Sequence, residues 1–203
     1  MAKPKKSIQQ DAILMQAAQA QDWKTAERRV RQFIRKNSRD LEALLLLADI
    51  QMQKNDATEA LAAFERVLQI QPDLPMAHFG RGRTLLALKR TTEAIDSLEL
   101  YAQSQPGDVE ALINLGICYL TARKSQQAAE CFTRAYDTGT LTEDQSYFVR
   151  MALVQAHRDD GALDDMREQA REIFKDFPSS RAALWQLLTY GQKGRVPLRV
   201  DRL

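Results

Sequence analysis

Long apolar runs are missing from this 203-residue sequence. The longest, Ala43 to Ala48, falls far short of the roughly 20 residues needed to cross a bilayer, so no membrane span is expected. The N-terminus, Met1 to Lys6, is basic but continues into Gln9, Gln10 and Asp11. A secretory signal would need an apolar stretch of roughly 7 to 15 residues there, so a cytoplasmic protein is expected. Cysteine is scarce as well. Cys118 and Cys131 stand 13 apart with no CxxC pair and no companion histidines, a pattern of buried reduced thiols rather than of a disulfide or metal site.

Catalytic signatures are absent in the same way. No glycine-rich phosphate loop, GxSxG elbow or HExxH helix occurs. Asp159, Asp160, Asp164 and Asp165 gather around Gly161, but without the ligand spacing of a calcium loop, and they read as a solvated turn. Catalysis needs a nucleophile, a base and positioning groups brought together. No catalytic, cofactor-binding or metal-binding residue is assigned, no cofactor is implied, and the chain is expected not to be an enzyme.

Glycine (8) and proline (6) are few and cluster at candidate boundaries, while Ala, Leu, Gln, Glu and Arg abound, as in a helical protein. The net charge of +2 is unevenly spread: residues 1–40 carry +6 and residues 41–150 carry −5. Such an asymmetry can steer an acidic partner toward the N-terminal part. Aromatic residues are not interleaved with Lys24, Arg28, Arg29, Arg31, Arg35 and Lys36, apart from Trp23 and Phe33 at packing positions, which argues against nucleic acid as the partner.

What the sequence has is a period. Ala60, Phe64 and Pro72 are followed 34 residues on by Ala94, Leu98 and Pro106, and then by Ala128, Phe132 and Thr140. A period of this length marks stacked supersecondary units. Within 41–74, Leu44, Leu47 and Ala48 share one helical face and Ala60, Phe64 and Val67 another, separated by Lys54-Asn55-Asp56 with Asp56 as an N-cap. The unit 75–108 repeats this with Gly82, Leu85, Ala94, Leu98 and Tyr101. The unit 109–142 does so with Leu115, Gly116, Tyr119, Ala128, Phe132 and Ala135.

These residues resemble the tetratricopeptide repeat family, which places Trp, Leu, Gly and Tyr on a first helix and Ala, Phe, Ala and Pro on a second. The resemblance implies an all-α fold, a right-handed α-solenoid of helix-turn-helix repeats with a C-terminal capping helix. Five repeats are expected at about 7–40, 41–74, 75–108, 109–142 and 147–180, with the cap at 181–190 and tails at 1–6 and 191–203. The interval from Thr140 to Pro178 is 38, and the four extra residues are assigned to the linker Thr138 to Ser146. Met166 stands there where the close-packing alanine belongs. His78 and His157 fall where the family prefers an aromatic ring, so packing is their expected role.

In the family, positions 2, 5, 6, 9, 12 and 13 of each unit face a concave groove. Carried over, they give Leu45, Asp49 and Met52, then Met76, Phe79, Arg83 and Leu86. The fourth unit supplies Ile113, Asn114, Ile117 and Leu120, and the fifth Phe148, Met151 and Gln155. Adaptable methionines and a few aromatics on such a surface suit a peptide or helix with apolar anchors. The clamp that repeats of this family use for heat-shock chaperone tails is not matched. Asn114 fits its central Asn, but Phe79 and Arg83 replace Lys and Asn before it, and Phe148 and Ala152 replace the final basic pair.

The expected function is that of a non-catalytic protein-protein interaction scaffold binding an unknown peptide or helix in the groove. Two alternatives stand beside it: the repeat module of, or accessory to, a larger transferase or regulatory enzyme, and a self-associating structural protein, a homo-oligomer.

Overall fold

The structure is a computed structural model that describes residues 11–180 and Ile8. The expected cap at 181–190 and the tails 1–6 and 191–203 lie outside the described residues. Among the described residues ten α-helices follow one another as α1 (Ala12–Gln19), α2 (Trp23–Lys36), α3 (Leu41–Gln53), α4 (Ala57–Ile70), α5 (Pro75–Ala87), α6 (Thr91–Ser104), α7 (Val109–Thr121), α8 (Ser125–Asp137), α9 (Glu143–Asp160) and α10 (Leu163–Asp176). No strand occurs among the described residues. The chain divides into two compact units, 1–104 and 105–203. In the first, α1 to α6 form three antiparallel hairpins that stack in order; in the second, α7 to α10 form two.

Short polar residues start the first helix of a hairpin. Asp40 accepts the Ala43 amide at 3.1 Å, Asp108 accepts the Ala111 amide at 2.8 Å, and Pro75 opens α5 at a position where no amide is needed. Asp56 caps α4 by accepting the Glu59 amide, as its place in the sequence predicted. Each such cap contributes about 1 kcal/mol.

All five hairpins turn in one way. The first helix ends in a left-handed residue, Gln21, Asn55, Lys89, Arg123 or Gly161. In α5–α6 the Lys89 amide donates to the Leu86 carbonyl and the Arg90 amide to the Leu85 carbonyl; in α9–α10 Gly161 and Ala162 donate to Arg158 and His157. This is the Schellman closure, which satisfies the last carbonyls of a helix. Three of the five residues are Gln, Lys and Arg, for which this conformation costs about 1–2 kcal/mol each. Burial of the helix faces must supply that energy.

It does so by pairing small residues with large ones. Ala26, Ala60, Ala94 and Ala128 are wholly buried on successive second helices. Gly82 lies so close to Leu98 that a Cβ there would come 2.6 Å from its Cγ, and a Cβ on Gly116 would come 2.6 Å from the Phe132 ring. Phe132 is itself fully buried, a contribution of about 3 kcal/mol.

The fifth hairpin corrects the sequence reading. First-helix caps fall at Asp40, Leu74, Asp108 and Thr142, still 34 apart, so the linker before α9 keeps the period. The four extra residues lie inside α9, since the caps Asp108 and Thr142 are 34 apart but the left-handed turn residues that follow, Arg123 and Gly161, are 38 apart. Glu143 to Ser146 are thus the first turn of a helix. Thr142 caps it with a capping box, accepting the Gln145 amide while Gln145 Oε1 accepts the Thr142 amide.

Candidate functional site

In the first unit α1, α2 and α3 enclose a cleft of about 550 Å³. Helix α3 contributes Glu42, Leu45, Leu46, Asp49 and Ile50 to it, and α1 contributes Leu14, Met15 and Ala18. Trp23 and Ala26 of α2 complete the wall. Leu45 is half-buried and Met15 is half-exposed at 50%, so apolar surface faces the opening. Asp11 holds α1 in place. Its nearly buried carboxylate accepts the Leu14 amide at 3.0 Å and pairs with Arg29 of α2 at 2.7 Å. Partial desolvation by its neighbours raises the Asp49 carboxyl above its ordinary value, with Arg83 pulling the other way.

Leu45 and Asp49 were expected at a binding surface; Leu14, Met15, Ala18 and Trp23 were not. A signal for part of this wall existed. Counting the same positions from Ser7, places 2, 9 and 12 of the first repeat are Ile8, Met15 and Ala18, all of which line the cleft.

Farther along this unit, the Met52 sulfur of α3 lies 3.2 Å from the buried Thr84 hydroxyl of α5, which donates to the Gly80 carbonyl at 2.7 Å. The sulfur is thus in contact with a neighbouring helix. On α5, Met76 is 57% exposed and Arg83 is exposed, while Leu86 is half-buried. Phe79 is only 8% exposed. Its ring stacks on Tyr101 of α6 with centroids 4.8 Å apart, and the Arg83 guanidinium lies 5.5 Å from its centre. Phe79 is a wall of this surface, where a freely accessible anchor was expected.

In the second unit Ile113, Asn114, Ile117 and Leu120 are half-buried on α7. The Asn114 side-chain amide donates to the Glu110 carbonyl of its own helix at 2.8 Å. On α9, Phe148 is 44% exposed and meets Phe132 edge to face, Gln155 is half-buried, and Met151 packs on the cluster of Val154, Met166, Ala170 and Ile173.

Most of the remaining chemical candidates have structural partners. His78 Nε2 donates to the Pro72 carbonyl at 2.7 Å, tying α5 to the preceding linker. His157 is half-buried beside Asp160 and Asp165. Asp159 pairs with Arg158 and Asp164 with Arg167, at 2.8 and 3.0 Å. Cys118 and Cys131 are buried and not joined in a disulfide; burial, and then Cys131, push the Cys118 thiol up to about 11.

Stacked helical hairpins with a 34-residue period and a surface of first-helix side chains define an α-helical repeat protein. The chain belongs to the tetratricopeptide repeat family. The Psidin N-terminal TPR repeats region matches residues 46–194, and a tetratricopeptide repeat profile matches residues 15–75. Among solved structures it is similar to MamA from Desulfovibrio magneticus RS-1, with 22% identity, 84% of this chain and 92% of that chain covered, and a TM-score of 0.72. A tetratricopeptide repeat protein from Parabacteroides merdae aligns at 17% identity over 86% of this chain and 70% of that one, with a TM-score of 0.72. YrrB, described as a TPR protein with an unusual peptide-binding site, aligns at 18% identity over 78% and 79%, with a TM-score of 0.67. No curated protein sequence matches significantly.

Proposed function

We propose that the chain is a non-catalytic scaffold that holds an apolar segment of another protein against the exposed faces of its first helices. The observation that carries this reading is the cleft of α1 to α3, whose lining is apolar apart from two carboxylates and opens to solvent. Apolar surface rimmed by charge marks an interaction site. Met76, at 57% exposure, extends the same character along α5 within the first unit. YrrB's peptide-binding site agrees with a role of this kind but carries no residue over. Two buried reduced thiols support a cytoplasmic setting, and no described helix is long and apolar enough to cross a membrane.

The test is a double variant, Leu45→Glu with Met76→Glu, used beside the wild type for affinity capture from native lysate. The expected result is loss of specifically captured proteins with unchanged helical circular dichroism and melting. Capture of the same proteins by the variant would refute the reading, and so would collapse of the fold, since both residues would then be core. Phe79 is left intact because its burial would confuse the two outcomes.

A second reading, self-association, is favoured by Leu100 on α6 and Tyr136 on α8, which are 49% and 43% exposed. Light scattering across a concentration series separates it from a monomeric scaffold.

A further inference from the structure

Among the described residues, those lining the cleft of α1 to α3 carry charge of one sign only. The charged ones are Glu42 and Asp49, both on α3. With Leu45 and Leu46 between them, they occupy places i, i+3, i+4 and i+7 of that helix, so the carboxylates stand about 10 Å apart along its axis with leucines between. The facing wall, Leu14, Met15 and Ala18 of α1, has no charge. Of the nearby cations, Arg29 is held by Asp11, Lys24, Arg28, Arg31 and Arg35 line a separate depression on α2, and Arg83 of α5 acts on Asp49 from outside the lining while its guanidinium lies by the Phe79 ring.

Backbone chemistry narrows the occupant further. An extended peptide pressed into this cleft would need donors for its carbonyls, since buried backbone groups left unpaired are costly. The lining offers leucines, alanines, methionine and carboxylates, and the Trp23 indole is the one side-chain donor among them. A helix satisfies its own backbone and needs no such donors. Glu42 and Asp49 are exposed in the open cleft, and a helix laid over it would take water from both carboxylates, a loss that a cation brought by the partner compensates. The raised titration of Asp49 is in keeping with this. Anionic partners, whether nucleic acid, acidic peptide or lipid headgroup, would meet repulsion.

We infer that the cleft between α1, α2 and α3 selects an amphipathic helix whose apolar face is flanked by Lys or Arg side chains. This rests on the scaffold reading and adds the partner's chemistry to it. The cationic residues dock on Glu42 and Asp49 while the apolar face packs on Leu45, Leu46 and Met15.

The experiment uses the full chain carrying Trp185→Phe, so that Trp23 is the sole tryptophan and reports on the cleft. Two fluorescently labelled amphipathic peptides of equal length are titrated against it. They share one leucine face; the polar positions are Lys in one and Glu in the other. The Lys peptide is expected to bind about tenfold or more tightly than the Glu peptide, to shift Trp23 emission to the blue, and to weaken as salt is added. Glu42→Gln with Asp49→Asn should bring the two peptides to within about twofold of each other, and Leu45→Arg should abolish the emission shift.

Equal binding of both peptides by the wild-type cleft would overturn the charge selection and leave the scaffold reading standing. Full selectivity retained in the Gln/Asn variant would place the preference elsewhere and overturn the inference as well. Binding of neither peptide would also overturn it, and the capture experiment above would then decide the scaffold reading separately.

Discussion

Hairpins α7–α8 and α9–α10 follow one another in the second unit and close by different means. In α7–α8 the absence of a side chain at Gly116 admits the Phe132 ring, and Ala128 lets the two helices approach. The turn that joins them holds Arg123 in the left-handed conformation, at φ 62°. In α9–α10 the alanine is replaced by a fully buried Met166, and the turn is relaxed by Gly161, at φ 82°. Arg150 of α9, buried to 4% side-chain exposure, reaches Asp176 of α10 at 2.7 Å and lies 5.7 Å from the Tyr136 ring of α8. One hairpin therefore combines tight complementarity with a strained turn. The other combines an easy turn, a flexible side chain and an ion pair. A repeat can lose its small-residue contact and keep the turn, provided that something else spans the wider space.

The contrast is broken most forcefully at Phe132. Phe132→Ala should destabilise the unit by about 3–5 kcal/mol, measured as a shift in urea midpoint. Met166→Ala should cost only about 2 kcal/mol, because alanine is what Ala26, Ala60, Ala94 and Ala128 supply at the same place and the helices can close upon it. Equal losses would mean that the two contacts are equivalent. Next in size is a rate. With its thiol at about 11, Cys118 should react with a disulfide reagent at mild alkaline pH roughly two to three orders of magnitude more slowly than free cysteine. Phe132→Ala should accelerate it and Met166→Ala should not.

The ion pair gives an asymmetric test. Asp176→Ala leaves a buried guanidinium with only Glu172, 3.8 Å away, and should cost about 2 kcal/mol. Arg150→Met leaves two carboxylates that already reach water and should stay within about 1 kcal/mol of wild type. The reverse order in thermal melts would show that the guanidinium is better solvated than its burial indicates. The smallest effects lie at the turns. Arg123→Gly should stabilise by about 0.5–1 kcal/mol and Gly161→Ala should destabilise by about 1 kcal/mol, both read from melting temperature.

Much of this architecture was open to reading from spacing alone. The Asp56 cap is legible from its place before the second helix, and the alanines of the second helices and the aromatic or leucine residues that fill the hairpins repeat at 34. They do so because each depends on one neighbour at a fixed distance along the chain. The left-handed turns were hidden, since Gln21, Lys89 and Arg123 have no local preference for that conformation and adopt it under the pull of helix packing. Phe79 was placed on an open surface because its cover, Tyr101, comes from the partner helix, whose direction the period does not specify. The α1 wall of the cleft is marked in the sequence only by Ile8, Met15 and Ala18 at groove positions of the first repeat. The four extra residues were put in the linker because an interval of 38 records an insertion without locating it. Only the cap at Thr142 locates it.

That insertion also explains why Phe148, Met151 and Gln155 could be selected with the wrong starting point. An α-helix turns about 100° per residue, so a shift of four residues returns a side chain to within about 40° of its original bearing while adding about 6 Å of length. Counted from residue 143 or from residue 147, these three residues share one face of α9. One or two extra residues would have swung the apolar face away from the neighbouring helix and exposed it. Length variation in a chain of this kind is thus quantised: whole turns pass almost unnoticed by the packing, and fractions of a turn are excluded by it.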